Sequence, residues 1–420
     1  MTCNVDKNKY HGGEKNVTKS IKVKLYPTNS QRKNIDQNIA NRGFIWNRLL
    51  EKIKYENVKP TQKNLNAIVN ELKKQYPFVK KSESSSRQQV YQDLIKAIQK
   101  HKKERAGYPR FKSQDNPNTS CRIQCNNNNI HLNKRQNRVK IPTIGYVKFK
   151  TSKENKKELS KSKINNITLK IENGIYYAIF NIKTIHNPMK TVRDSIGIDL
   201  GIRRPATCSN GLKIEVLDLT FEEEKIALYQ KQMSKRKPMS RRYKIAQNRY
   251  KKWQNKKINK KKDYYHKKTH EIVKNHDIIA LETLSIRNWF KNHQWAPKLQ
   301  KTGIYEILRQ LKYKSDLNNR RLVQVGWDFP SSQLCSECGY QYTGLKMGDA
   351  EWKCPSCGTH HDRDLNASIN IKNEGIRLIK KETIKRYQNA VSHGLRCAGV
   401  RSVVIFANRR HVEPRIPNFL

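Results

Sequence analysis

Two C-x-x-C pairs, Cys335/Cys338 and Cys354/Cys357, are separated by fifteen residues. Four thiolates at that spacing can close a tetrahedron around one Zn²⁺. Gly339 and Gly358 each follow the second cysteine of a pair, where glycine permits the tight turn that aims both sulfurs inward. Four cysteines leave no open coordination position, so the expected site is structural rather than catalytic. His360 and His361 follow closely and read as loop residues. Cys121 and Cys125 have no partner pair and read as loop or strand cysteines.

A second chemistry rests on carboxylates. Asp199 reads as mid-strand between Ile198 and Leu200, Glu282 ends the apolar run Ile278–Leu281, and Asp364 opens a helix, with Asp362 as its competitor. An acid among buried strand residues is costly unless it is paired or metal-bound. Three such acids from separate elements point to a convergent cluster. Two Mg²⁺ ions need such a cluster for in-line attack on a phosphodiester: one activates water and the other stabilises the leaving oxygen. By pattern alone, the alternative stays open that each acid is a solvent-facing strand end or helix cap.

The charge narrows the partners. Among 420 residues, 87 Lys and Arg oppose 35 Asp and Glu, a formal net charge of +52. A surface this basic repels itself unless a polyanion screens it, which argues against small-molecule chemistry as the sole function. Residues 231–270 hold 17 Lys or Arg against one acid, Asp263, with Tyr243, Tyr250 and Trp253 interleaved. These aromatics read as core anchors rather than stacking platforms. No apolar run approaches a membrane span, and residues 1–19 lack a signal-peptide core. The expected location is the cytoplasm of a prokaryotic-type cell, associated with the nucleoid.

The elements that must position these residues follow from periodicity. Residues 1–19 are polar and expected to be disordered. Ser20–Tyr26 alternates as a half-buried strand, and Thr28 with Gln31 forms a capping box for the next helix. Helices follow, near 62–75 and after the serine run 84–86. Ile164–Lys183 reads as a hairpin turning at Asn173-Gly174. The expectation is a small β-barrel (20–28 and 106–190) holding a helical block (29–105) as an insertion. From Ser195 a second module begins: a strand with Asp199, a strand at 212–217, a long helical region at 221–275, and strands at 277–282 and 321–327. A helix follows Asp364, which Gly375 would end early. Residues 385–420 read as a basic tail of little order.

The ordered series Gly197-Ile-Asp199-Leu-Gly201, Ala280-Leu-Glu282, the four-cysteine ribbon and Asp362-Arg-Asp364-Leu-Asn366-Ala367 resembles the RuvC-like nuclease of the TnpB family. Leu25-Tyr26-Pro27-Thr28-x-x-Gln31, Gln88-Gln89 and Tyr108-Pro109-Arg110-Phe111-Lys112 resemble that family too. The members are RNA-guided nucleases of insertion sequences, related to type V CRISPR nucleases. The resemblance covers about residues 20–380. It implies a multidomain α+β chain: an N-terminal β-barrel (wedge) with an inserted helical recognition bundle, then an RNase H-like (RuvC) α/β domain at 191–330 and 359–384. A zinc ribbon that binds target nucleic acid is inserted at 331–358.

The resemblance further implies Mg²⁺-dependent cleavage of both strands of target DNA by one site, with Asp199, Glu282 and Asp364 as the metal-binding triad and a guide RNA from the transposon end as partner. The basic 231–270 stretch, with Lys251, Lys252, Lys256 and Lys257, would wall the heteroduplex channel. Arg110 would contact nucleic acid, and Gln88 or Gln89 would read adenine bidentately. A monomer is expected, with a dimer as the alternative. Four other readings stay open: a compact type V CRISPR effector, an RNA-guided repressor without cleavage, a basic zinc-ribbon RNA-binding protein, and a cut-and-paste transposase sharing the same RNase H chemistry.

Overall fold

The computed structural model describes residues 15–104, 106–113, 119–133, 136–283, 296–346 and 348–392. The expected disorder of residues 1–14 and the expected tail 393–420 lie outside them. The chain is a mixed α and β protein that divides into two compact units. Among the described residues, one holds Lys15–His186 together with Glu224–Asn255; the other holds Asn187–Glu223 and the residues from 256 on. The basic stretch 231–270, expected as one piece of the nuclease domain, is thereby divided after Asn255.

In the first unit, strand β1 (Lys15–Tyr26) begins earlier than its apolar alternation suggests. Lys15–Lys19 belong to it, which corrects the expected disorder there. Ladder bonds to β7 (Ile175–His186) extend the strand beyond its apolar part, with Lys15 opposite His186. Ile21, Val23 and Leu25 point into the core and Lys22, Lys24 and Tyr26 point out. The capping box starts α1 (Asn29–Tyr55): the Thr28 hydroxyl accepts from Gln31 N at 3.3 Å, and the Gln31 side chain accepts from Thr28 N at 3.1 Å.

Strand β6 (Lys163–Glu172) meets β7 through Asn173-Gly174, both with positive φ, as a two-residue hairpin turn requires. With β2 (Ser120–Gln124), β3 (His131–Asn133), β4 (Arg138–Ile141) and β5 (Gly145–Lys150), the seven strands run in the order β2-β6-β7-β1-β5-β4-β3. Among the described residues no pair joins β2 to β3, so the ladder is an open series. Helices α2 (Gln62–Gln75), α3 (Pro77–Lys80) and α4 (Ser84–Glu104) share a second core with the C-terminal half of α1, centred on Leu49, Leu50, Leu65, Val90 and Leu94. Each fully buried aliphatic side chain there contributes about 1.5–3 kcal/mol. Helix α5 (Lys153–Lys161) lies between β5 and β6 in sequence.

The second unit is built on a sheet of order β10-β9-β8-β11-β12. Strands β8 (Ser195–Asp199), β11 (Ile278–Glu282) and β12 (Arg321–Val325) are parallel; β9 (Ala206–Cys208) and β10 (Lys213–Ile214) are antiparallel. The strand expected at 212–217 is only two residues long. The helical region is two helices, α6 (Thr220–Ser234) and α7 (Arg241–Asn275), each containing a boundary between the units.

Alternation along the parallel strands divides the core. Ile196, Ile198, Ile279 and Leu281 pack with Tyr265 and Ile272 of α7, with Leu299 of α8 (Ala296–Thr302), and with Ile307 and Leu311 of α9 (Ile304–Leu317). Ala280 and Val325 pack with Ile371 of α10 (Arg363–Ser392). Gly375 does not end α10, and residues 385–392 are helix rather than tail. A Cβ on Gly375 would stand 2.5 Å from the Ala280 Cβ, so this glycine lets helix and strand approach.

Candidate active site and metal centre

Strands β8 and β11 run side by side with Leu281 opposite Ile198. Asp199 and Glu282 are the next residues, so both acids end neighbouring parallel strands at one edge. Open α/β sheets bind ligands at such carboxyl ends. Helix α10 begins at this edge and supplies Asp364 from its first turn.

The electrostatics tie the three acids together. Burial pushes the Asp199 carboxyl up, and the negative charges of Asp364 and Glu282 push it further, to about 7, against a smaller opposing effect of Arg363. Burial raises the Glu282 carboxyl as well. Negative charge crowded onto a buried carboxyl is what a bound cation would relieve. The donors are hard carboxylate oxygens, which fit Mg²⁺ rather than a soft metal. The three acids are not drawn into one tight group: among the described residues, the four cysteines are the one set of three or more His, Cys, Asp or Glu whose ligand atoms all lie within 4.8 Å of one another.

Asp362 and Asp364 separate by role. The Asp362 Oδ1 accepts from the backbone N–H of Asp364 at 3.0 Å and of Leu365 at 3.1 Å, and its Oδ2 accepts from Lys213 Nζ at 3.0 Å. Asp362 is therefore the cap of α10. The Asp364 carboxylate faces Arg204, whose Nη1 lies 3.6 Å away and whose Nε donates to Glu215 at 2.8 Å.

The cysteine centre is compact. Sγ of Cys335 lies 3.6 Å from that of Cys357, and Sγ of Cys338 lies 3.7 Å from that of Cys354. The two knuckles match: Gly339 N donates to Cys335 O and Gly358 N to Cys354 O, both at 2.9 Å, and both glycines have φ of +75°. The four sulfurs can hold one metal ion. His361 is not a loop residue. It is buried in β14 (His360–Asp362), paired with β13 (Glu351–Lys353), and its Nε2 lies 3.1 Å from Cys335 Sγ.

Two asparagines one turn apart on α10 join this centre to the carboxylate edge. Asn366 Nδ2 donates to Leu334 O at 2.7 Å while its Oδ1 accepts from Ser336 N at 2.9 Å. Asn370 Nδ2 donates to Ser331 O at 2.8 Å and to Leu334 O at 2.7 Å. The helix that carries Asp364 thus also holds the loop that carries Cys335. In the sequence Asn366 stands out only as part of the Asp362–Ala367 motif and Asn370 not at all; amides at i and i+4 on a buried helix face are the available signal. Arg204 gave no signal.

The expected nucleic-acid contacts fare differently. Gln88 is exposed on α4. Gln89 is buried, donates to Gln92 Oε1 at 2.6 Å and accepts from Arg122 Nη1 at 3.3 Å, which corrects its expected role at a base edge. Arg110 is exposed, on a loop pinned to α1 by Trp46 Nε1 donating to its carbonyl at 3.0 Å. Lys252 is exposed and Lys251 half-buried. Lys256 and Lys257 instead pair with Glu222 at 3.7 Å and Glu223 at 2.7 Å, so part of their charge serves to clamp α6 to α7. Tyr243, Tyr250 and Trp253 are half-buried.

Three family models match the chain. Residues 178–293 match OrfB_IS605, described as "Probable transposase". Residues 305–371 match the Cas12f1-like TNB domain, and residues 16–59 match the helix-turn-helix domain of OrfB_IS605. In this chain the last segment holds one strand and one long helix rather than two helices. The "Putative RNA-guided DNA endonuclease InsQ" of Escherichia coli (strain K12) is 24% identical over 311 residues, 70% of this chain and 75% of that one. A "Putative RNA-guided DNA endonuclease" of Streptomyces pristinaespiralis is 25% identical over 372 residues, 86% of this chain and 90% of that one. A solved Cas12f1–sgRNA–target DNA complex is similar with a TM-score of 0.47 and 14% identity, over 85% of this chain and 99% of that one. Two of the three family models are those of OrfB_IS605 insertion-element proteins. The family models and these curated relatives support a TnpB-family protein.

Proposed function

We propose that the protein is an RNA-guided DNA endonuclease of a transposable element, cutting double-stranded DNA beside a short element-adjacent motif. The observation that carries this reading is the Asp199 carboxyl at a strand end, raised by burial and by the charges of Asp364 and Glu282. We read the second unit as RNase H-like, since two antiparallel strands precede the parallel β8, β11 and β12 in its sheet order. The seven-stranded sheet of the first unit takes the part of the wedge.

Asp199, Glu282 and Asp364 would hold Mg²⁺, which supplies water activation and stabilisation of the leaving oxygen. Asp199 and Glu282 fix two carboxylates on rigid strands, and Asp364 comes from the helix packed across them. Asp362 acts as cap and keeps Asp364 in the first helical turn. The cysteine quartet would hold one structural Zn²⁺. The net charge of +52 supports a partner made of a guide RNA and its DNA target.

The test is to purify the protein with RNA from the element end and offer matched DNA across a library of flanking motifs with Mg²⁺. Guide-dependent cutting that Asp199→Ala abolishes, with RNA and DNA binding retained, is the expected result. Matched binding without cutting by the unaltered protein would leave a repressor instead.

A further inference from the structure

One apolar side chain at the carboxyl edge of the second sheet has no role in the core. Trp327 is 81% exposed, more than any other exposed large hydrophobic side chain among the described residues. It stands two residues beyond Val325, which ends β12 and pairs in register with Glu282. Thr283 N, just after Glu282, donates to Val325 O at 3.0 Å, so the ladder holds up to the point where the Trp327 loop departs.

The loop is built rather than loose. Phe329 N donates to Gly326 O at 3.3 Å, placing Trp327 and Asp328 at the tip of a turn. Phe329 packs against the Ala280, Val325 and Ile371 cluster, and Ser331 O is held by Asn370 of α10. A Cβ on Gly326 would lie 2.4 Å from Asp328 Oδ1, so the turn is tight on that side as well. Both ends of the turn are therefore fixed to the same strand and helix that position Glu282 and Asp364. Adjacent strands are about 4.8 Å apart, so β12 lies roughly 10 Å from β8 and Asp199, within a nucleotide or two of a bound strand.

We propose that Trp327 is a stacking platform for one nucleobase of the single DNA strand presented to the Asp199–Glu282–Asp364 edge. An indole face accepts any base, so it would fix the position of the strand without reading its sequence. A base held there leaves the adjoining phosphodiester beside the carboxylates. This inference rests on the nuclease reading above.

The experiment uses the full chain with its guide RNA and matched DNA that carries single abasic positions through the cleaved region. For the unaltered protein, one abasic position should slow cutting by about ten- to a hundred-fold. Trp327→Ala should slow cutting of intact DNA by a similar factor, and Trp327→Phe should restore most of the rate. The same abasic position should cost Trp327→Ala nothing further, since base and indole act as one pair. Guide-RNA affinity and thermal unfolding should be unchanged in both variants. Equal cutting by Trp327→Ala, or independent and additive losses, would overturn the stacking role. A fall in guide-RNA affinity would overturn it in favour of an RNA contact. Failure of the unaltered protein to cut any matched DNA would instead be a failure of the nuclease reading.

Discussion

Gly197 and Ser368 lie so close that no side chain fits between them: a Cβ on Gly197 would stand 2.0 Å from the Ser368 carbonyl oxygen and 2.5 Å from the Lys372 amide nitrogen. Gly197 is two residues before Asp199, and Ser368 is one turn after Asp364. Helix α10 therefore rests on bare backbone of β8, and this contact sets how close the two acids come.

Gly197→Ala should push α10 off the strand. Overpacking of this kind costs about 1–3 kcal/mol, which a two-unit protein should survive. Displacing a reacting group by about 1 Å costs on the order of a hundred-fold in rate. The expected outcome is a folded protein with a modest loss in thermal unfolding temperature and at least about a hundred-fold slower cutting. Undiminished cutting would show that the close approach does not matter to the acids.

Gly375 permits a direct test of the same packing through compensation. Gly375→Ala alone drives a new Cβ to 2.5 Å from the Ala280 Cβ. Ala280→Gly removes the opposing atom. The double variant should recover most of the stability and cutting that Gly375→Ala loses, although glycine in a strand itself costs about 0.5–1 kcal/mol. Denaturant unfolding of the four proteins in the cycle measures the coupling.

Gly375 also shows where the sequence stops being legible. A glycine after an apolar stripe signals a helix end by local rules, but here the helix continues because its glycine meets a strand. That contact is tertiary and leaves no local mark. Features closed within a few residues were readable: the alternation of β1, the Thr28–Gln31 box, the Asn173-Gly174 turn and the two cysteine knuckles. The strand-end position of Glu282 was readable too, whereas Asp199, read as mid-strand from its apolar neighbours, ends its strand. The choice between Asp362 and Asp364 was not readable, because it depends on which carboxylate turns back to cap its own helix. The depth of Gln89 was hidden for a similar reason. Ser85, Ser86, Gln89 and Val90 share one buried face of α4, where Glu83 holds the two serines and where Gln92 and Arg122, the latter on another element, satisfy Gln89.

The two glutamines should part in function. Gln89→Ala removes partners of Arg122 and Gln92 inside the first unit and should cost about 1 kcal/mol of stability. It should leave the preferred DNA flanking motif unchanged. Gln88→Ala, on the exposed face, should leave unfolding unchanged and weaken binding of motif-bearing DNA. Selection of cleaved flanks from a randomised library reads both; a changed motif for Gln89→Ala with unchanged stability would reverse the assignment.

The cysteine quartet predicts a metal-dependent fold for its region. One zinc per chain is expected by native mass spectrometry, and chelation should lower the unfolding temperature. Cys354→Ser, at a buried sulfur, should lose the metal and several kcal/mol of stability. Because Asn366 and Asn370 join the Cys335 loop to α10, metal loss should also slow cutting. Unchanged folding and cutting after complete chelation would remove the structural-metal assignment.

Lys314 supplies a pH test remote from both centres. Its ammonium is buried on α9, donating to His266 O at 2.7 Å and to Thr269 Oγ1 at 2.8 Å. Burial lowers its proton affinity to about 8, against a smaller opposing effect of Glu306. In the unfolded chain the same amine titrates near 10.4. Between these values the unfolded chain binds the extra proton, so this group's contribution to stability rises with pH through that window. Below about 8 the amine is charged in both states and the contribution is flat. Lys314→Met removes the titration. The stability of the unaltered protein relative to Lys314→Met should therefore be nearly flat between about pH 7 and 8, above the range where the Lys314 charge acts on His266 and His270, and grow by about 2–3 kcal/mol by pH 10. Denaturant unfolding of the two proteins at each pH gives this difference, in which the remaining lysines and tyrosines cancel. A difference that stays flat to pH 10 would mean that Lys314 keeps its proton in the fold.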